Sequence, residues 1–314
     1  MRRVLSVAAG LLVLVLVRTS GANPLSNVDE TTSGNFGTSS QRNAQLGALG
    51  PFDCAPTATV NSFQYLESRY GVTGLVDANP YNTINTLAGP GYMNVQAALS
   101  GALPSDIVNG KERAITEYNA GHPNQTLRVE GEVAPGTTFP PGQINAALAA
   151  NLTVAGLLPN MQSTDPTMDF LHDQLAAGQD IELGILWFDP AKGVYAGGHV
   201  VTATGLFNAD DTSNMGTLDF IDPWGSATTA FSNSGTITGL HNGLMQLSFT
   251  GGSAGAGGDP DNFDSVGTAD IAFILAESPT PLPASVWGGL VLLAGLAIRC
   301  YVLRGKPRAA NAVL

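Results

Sequence analysis

The apolar positions are most regular in two stretches of the chain. After Cys54-Ala55-Pro56-Thr57, the residues Val60, Phe63, Leu66 and Tyr70 recur at helical spacing, which places them on one face of an α-helix. Pro56 suits a first helical turn, where its missing N–H is not needed, and Gly71 stops the run. Between residues 72 and 165 the pattern weakens. It predicts a helix over Ile107–Tyr118, a short strand over Thr126–Val133 and a helix over Gly142–Leu152, joined by Gly- and Pro-rich loops with no internal repeat. Periodicity then returns. Met168, Leu171 and Leu175 form a helical stripe ended by Gly178. Ile181–Phe188 reads as a buried strand broken by Asp189-Pro190, Gly197–Leu206 as a β-branched strand entered through two glycines, and Gly216–Asp222 as a strand closed by Pro223. Two or three later strands complete the pattern, Ile271–Leu275 the clearest. A helix followed by a run of antiparallel strands is an α+β layout.

Composition narrows the function. Of 314 residues, 12% are charged and 44% hydrophobic, with 38 glycines and 19 prolines. That mixture supports a buried core and excludes both full disorder and a coiled coil. Seven of the 13 basic residues lie in the terminal segments, so Asp29–Glu277 holds all 25 acids against six bases. A surface that acidic repels phosphate backbones, which argues against nucleic acid as a partner.

Both ends read as addresses. Met1-Arg2-Arg3, the 14-residue run Val4–Val17 and the small residues Ser20-Gly21-Ala22 form a secretory signal over residues 1–22, too short for a comfortable span. The stretch 23–43 is rich in Ser, Thr, Asn and Gly and reads as a flexible leader before a domain over 44–278. From Pro279 a Pro-rich stop leads into a short apolar segment and a positive tail from Arg299. The stretch from Pro279 to Arg308, opening with Pro279-Thr280-Pro281-Leu282-Pro283-Ala284-Ser285-Val286-Trp287, resembles a PEP-CTERM sorting signal, with Leu282 where the name-giving motif has Glu. The resemblance implies a Gram-negative exported protein, held transiently in the inner membrane by a short transmembrane helix. It also implies processing by signal peptidase and an exosortase, and delivery to the cell envelope, outer surface or extracellular matrix. Residues 309–314 are a remnant tail.

Candidate chemistry centres on Cys54. The second cysteine, Cys300, lies in the tail, so a processed chain keeps one thiol and no disulfide. Cys-rich zinc ligation is thereby excluded, and the residues call for no cofactor. At a helix N-terminus, unsatisfied N–H groups and the helix dipole favour a thiolate. His199 opens a strand and Asp222 ends the next. Leu218, Phe220 and Asp222 share a face by alternation, so in an antiparallel pair the carboxylate falls beside the imidazole. A nucleophile on a helix with a base and its orienter on adjacent strands is the logic of thiol acyl transfer. A lone exported cysteine as inert core, a histidine as turn residue and Asp-Pro as strand terminator are the bland alternatives.

Cys54-Ala55-Pro56-Thr57-Ala58 with Asn61 and Leu66, then Gly198-His199-Val200-Val201-Thr202, then Phe220-Ile221-Asp222-Pro223-Trp224-Gly225, resemble the papain-like cysteine peptidases. Among these the resemblance is to the group related to bacteriocin leader peptidases, and it spans about residues 45–277 in three short specific blocks. It implies a papain-like fold, a peptide or protein substrate, and the roles of nucleophile for Cys54, base and acid for His199, and orienter for Asp222. That family places a Gln a few residues before the Cys as an oxyanion donor. Here position 48, six residues upstream, is Ala, and the nearest substitutes are Gln45 and Gln41.

Asp259, Asp261, Asn262 and Asp264 come after a Gly-rich stretch and offer hard oxygen ligands for Ca²⁺, but lack the bidentate Glu of an EF-hand and read first as a solvated loop. His241 reads as a turn residue. Three functions result: a cysteine peptidase, a peptidase-fold surface or matrix protein without activity, and a transglutaminase-like thiol acyltransferase.

Overall fold

The computed structural model describes residues 24–96, 101–249 and 268–280. In chain order they form β1 (Val28–Asp29), α1 (Cys54–Tyr70), α2 (Pro80–Ala88), α3 (Pro104–Gly121), β2 (Leu127–Val133), α4 (Ala146–Gly156), β3 (Met161–Ser163) and α5 (Met168–Ala176). Then come β4 (Asp180–Asp189), β5 (Val194–Asp210), β6 (Met215–Asp222), β7 (Phe231–His241), β8 (Leu244–Phe249) and β9 (Thr268–Pro279). The fold is α+β with one large mixed sheet. The signal segment, the apolar tail, Cys300 and the Ca²⁺ candidates Asp259, Asp261, Asn262 and Asp264 lie outside the described residues. Among the described residues no helix is long and apolar enough to cross a membrane.

The sheet closes on itself. β4 pairs with β5, the order continues through β6, β7, β8 and β9, and β9 pairs back onto β4, every step antiparallel. Period-two alternation then has two destinations. Leu183 and Ile185 on β4, Val201 on β5, and Leu218 and Phe220 on β6 belong to the core inside the ring. Leu186, Val200, Ala272 and Phe273 belong to a second core, built outside the ring with the helices. Burial on both faces explains why 181–188 reads as a nearly unbroken apolar run. Outside the ring, β1 extends β5 antiparallel, β2 extends β9 antiparallel, and β3 adds to β2 in parallel.

Helix α1 is the axis of the outer core, with Ala58, Val60, Phe63, Tyr65 and Leu66 fully buried. Thr202 Oγ1 on β5 donates to the Ala58 carbonyl at 3.0 Å, fixing helix to ring. Gly71 ends the helix at φ 66°, a left-handed cap that residues with a Cβ rarely adopt.

Three expectations shift. Helix α4 begins at Ala146, because Asn145 Oδ1 accepts the Leu148 N–H at 2.8 Å and caps it there. Strand β9 runs through Pro279, which pairs with Leu127, so the sheet reaches one residue past the anticipated boundary at 278. The leader carries fixed structure instead of hanging free. Val28 pairs with Leu206. Ser39 N–H donates to Asn61 Oδ1 at 2.7 Å while Asn61 Nδ2 donates to the Ser39 carbonyl at 3.0 Å. Ser40 Oγ donates to the Ser226 carbonyl at 2.6 Å. A polar composition reads as loop, yet these polar groups find partners on distant elements.

Candidate active site

Cys54 is the first residue of α1, half-buried and without a disulfide. The first N–H groups of any helix lack intrahelical acceptors, so the backbone donors of Cys54 and Ala55 sit beside the sulfur. Asp53 occupies the N-cap position but makes no side-chain capping bond. Its carboxylate is fully buried and both oxygens lack a hydrogen-bond partner. Burial alone lifts its pKa to about 7.

His199 lies on β5 opposite Ile185 of β4. Its Nε2 meets Asp222 Oδ1 at 2.8 Å, with 12% and 10% of the two side chains exposed. The β5–β6 ladder ends at Thr202–Ile221, one residue short of Asp222, so the carboxylate projects from the ladder's last step. Asp222 Oδ1 also accepts the Trp224 N–H at 2.8 Å, so the Asp-Pro-Trp turn holds the oxygen that holds the imidazole. Three influences set the His199 titration. Burial pulls it down, the Asp222 charge and hydrogen bond push it up, and the Cys54 sulfur adds a further hydrogen bond and charge in the same direction. The upward influences win, and the pKa reaches about 10. With Nε2 engaged by Asp222, Nδ1 is the nitrogen left for the sulfur.

The structure thus brings Cys54, His199 and Asp222 together at one end of the ring, and Cys54 and His199 both border a cavity of about 380 Å³. Gln45 is placed elsewhere. It is exposed, its Oε1 accepts Asn79 Nδ2 at 2.9 Å, and its carbonyl accepts Asn85 Nδ2 at 3.4 Å, both turned toward α2. Gln41 is buried, with Nε2 donating to the Pro51 carbonyl at 2.8 Å and Oε1 without a partner. Its backbone N–H donates to the Pro223 carbonyl at 3.0 Å.

Sequence pattern alone did not bring out two further clusters. His241 closes β7 at the turn, as anticipated, but its Nδ1 also meets the buried Asp270 Oδ2 at 2.6 Å, and Tyr195 Oη donates to that same oxygen. Burial pushes the Asp270 carboxyl up, against the Tyr195 and His241 bonds that pull it down. Behind α1, the carboxylates of Asp180, Glu182 and Glu277 lie within 4.8 Å of one another, all buried. Lys111 Nζ stands among them, paired with Glu182 and, at 2.5 Å, with Glu277, while Ser62 Oγ donates to Asp180 at 2.7 Å. The ammonium already fills the place a metal ion would take, and the group ties α1, α3, β4 and β9 together. Desolvation pushes Asp180 and Glu277 up and Lys111 down. An acidic residue at position 182, inside an apolar strand, is the sequence signal for this cluster.

No protein-family model matches the chain, and no curated protein matches it in sequence.

Proposed function

We propose that this chain is a papain-like thiol hydrolase that cleaves peptide bonds through an acyl-enzyme on Cys54. One observation carries the reading: the His199 ring is hydrogen-bonded both to the Asp222 carboxylate and to the Cys54 sulfur. In this mechanism His199 accepts the thiol proton, and the resting site is an imidazolium–thiolate pair. The sulfur attacks the peptide carbonyl carbon, forming a C–S bond and an oxyanion. Collapse breaks the C–N bond, and His199 gives its proton to the departing amine. Water, activated by the now neutral imidazole, then cleaves the thioester, releasing the acid and restoring the thiol. Asp222 keeps the ring oriented and offsets its charge. The Cys54 N–H at the helix terminus supplies one oxyanion donor.

Position 48 is Ala and Gln45 is engaged by Asn79, so the side-chain donor of the resembled family has no counterpart at its usual place. Absence of one such donor costs about 10²–10³ in rate. This observation favours a second reading, a peptidase-fold surface or matrix protein with little turnover. Export through residues 1–22 and exosortase processing of the tail belong to both readings. The experiment is alkylation of the full chain carrying Cys300→Ser, so that Cys54 is its one thiol, with iodoacetamide at pH 6, alongside cleavage of a peptide library. The hydrolase reading requires Cys54 to react faster than free cysteine, and requires cleavage that Cys54→Ser abolishes. A thiol no faster than free cysteine, with identical library profiles for the two proteins, overturns it.

A further inference from the structure

The described residues include six bases, and five of them face a carboxylate. Arg69 pairs with Glu30, and Lys111 with Glu182 and Glu277. Arg113 pairs with Glu117 at 2.8 Å, Arg128 with Glu130 at 3.1 Å and Lys192 with Asp189 at 2.8 Å. Arg42 is the sixth. Among the described residues its guanidinium meets no carboxylate and lies instead over the Trp224 ring, 5.5 Å from the centroid. In a region with 25 acids for six bases, an arginine without an acidic partner is the exception.

Its neighbours belong to the site. Arg42 follows Gln41, whose N–H holds the Pro223 carbonyl, and the N–H of Trp224 is held by Asp222 Oδ1. Arg42 and Trp224 line a recess of about 410 Å³ together with Gln41, Asn43, Pro51 and Phe52, the last two residues before Cys54. Gly47, at φ 61°, breaks the helical turns over Ala44–Phe52 and bends that segment around the recess. Gln41 Nε2 is spent on the Pro51 carbonyl at 2.8 Å, and Asn43 Nδ2 on the Ala227 carbonyl at 3.1 Å. No Asp or Glu lines the recess among the described residues, so the charge of Arg42 goes unanswered there. A guanidinium held over an aromatic face keeps N–H groups free at its edge, and that edge fits a carboxylate in a two-pronged pair. The rest of so acidic a surface repels a carboxylate.

We propose that Arg42, held over Trp224 beside the Asp222 turn, is an anion site that takes a carboxylate of the peptide substrate. The proposal rests on the hydrolase reading for the peptide and on Arg42 alone for the anion, so the two can fail separately. A peptide offers this group at its C-terminus or on Asp and Glu, and the test tells these apart. Its first arm uses the full chain carrying Cys300→Ser. Cys54 is alkylated with maleimides that bear a carboxylate on arms of increasing length, each compared with its carboxamide counterpart. Rates are normalised to glutathione and read by intact-mass spectrometry. At one arm length the carboxylate should be favoured about fivefold, the scale of one partly exposed ion pair, and about 0.5 M salt should remove the preference. Arg42→Met, which keeps an apolar stem over Trp224, should lose it, and Arg42→Lys should keep part of it. A carboxylate no faster than its carboxamide at every arm length overturns the proposal without any variant having to fold, as does an equal preference in Arg42→Met. In the second arm, peptides with free and amidated C-termini, and with Asp or Glu against Asn or Gln, are offered for cleavage. A preference of about fivefold for the free terminus, or for the acidic side chains in amidated peptides, names the source of the carboxylate and should appear in KM. Cleavage indifferent to both overturns the substrate class. A carboxylate preference in alkylation without cleavage of any peptide overturns the hydrolase reading and leaves the anion site standing.

Discussion

Gln41 donates its backbone N–H to the carbonyl oxygen of Pro223 at 3.0 Å, so the segment before the nucleophile's helix is fastened to the residue after Asp222. Ser40 Oγ bonds the same carbonyl at 3.3 Å and the Ser226 carbonyl at 2.6 Å. One step earlier, Ser39 is bonded at both its N–H and its carbonyl by Asn61 on α1. Residues 39–41 therefore bridge the helix that carries the sulfur and the turn that carries the carboxylate.

Asn61→Ala removes both bonds to Ser39 in a fully buried setting, leaving a backbone N–H and a carbonyl unpaired. The expected loss is about 2–4 kcal/mol, from two buried groups at about 1–3 kcal/mol each with partial relaxation. Denaturant titration measures it. Because the bridge spans the site, Cys54 alkylation should slow in parallel, whereas a loss of stability with unchanged alkylation would separate the bridge from the triad.

Asp222→Asn keeps the shape of the side chain and removes the charge that holds the His199 pKa at about 10. A histidine raised from 6.5 to about 10 on folding stabilises the protein fully below pH 6.5, and the contribution disappears as pH rises to about 10. Wild type should therefore lose stability between these limits more steeply than Asp222→Asn, as read by melting temperature against pH. Peptide cleavage in the variant should fall by about 10²–10⁴, the scale of a misoriented imidazole.

How much of this was legible in the sequence depends on the reach of each signal. Cys54, His199 and Asp222 each sit at an element boundary with a local mark: Pro56 in the first turn, Gly197-Gly198 before the histidine, Pro223 after the aspartate. Their strands and helix are periodic, so their faces could be read. The bridge was not legible, because Ser40 and its partner Ser226 are 186 residues apart and no periodicity marks either. Ring closure was equally hidden, since alternation shows which face of a strand is buried but not which strand lies beside it. Two missed elements did carry local marks. Asn79-Pro80 caps and starts α2, ahead of Tyr81, Ile84 and Leu87 at helical spacing. Asn242-Gly243, at φ 52° and 89°, forms the tight turn joining β7 to β8.

Asp53→Asn tests the buried carboxyl at the N-cap of α1. With a folded pKa of about 7 against 3.8 unfolded, the folded state binds the extra proton, so stability falls as pH rises from about 4 to about 7. The variant lacks that slope. It should not exceed wild type at pH 4, where the native carboxyl is already neutral. At pH 8 it should exceed wild type by about 1–3 kcal/mol, a discounted share of about 1.36 kcal/mol per pKa unit. Ionised Asp53 also places negative charge at the N-terminus of α1, at the residue before Cys54. Alkylation of Cys54 in the variant should therefore be several times faster than in wild type at pH 8 and equal to it at pH 5.

Lys111→Met tests the buried group behind α1. Met nearly matches the Lys stem in volume, so packing against Phe63, whose ring centroid lies 5.9 Å from the ammonium, is largely kept. What is lost is the cation facing Asp180, Glu182 and Glu277. Removing one partner from a buried ionic group costs about 3–5 kcal/mol, and denaturant titration at pH 7 should show a loss of that size. Desolvation already pushes Asp180 and Glu277 up. Without the ammonium their ionisation becomes harder still, and the variant should recover stability as pH is lowered and the carboxyls take up protons. Adding Glu277→Gln to Lys111→Met removes one of the stranded charges and should restore part of the loss at pH 7. A double variant no more stable than Lys111→Met would show that the lysine acts through its stem and not through its charge.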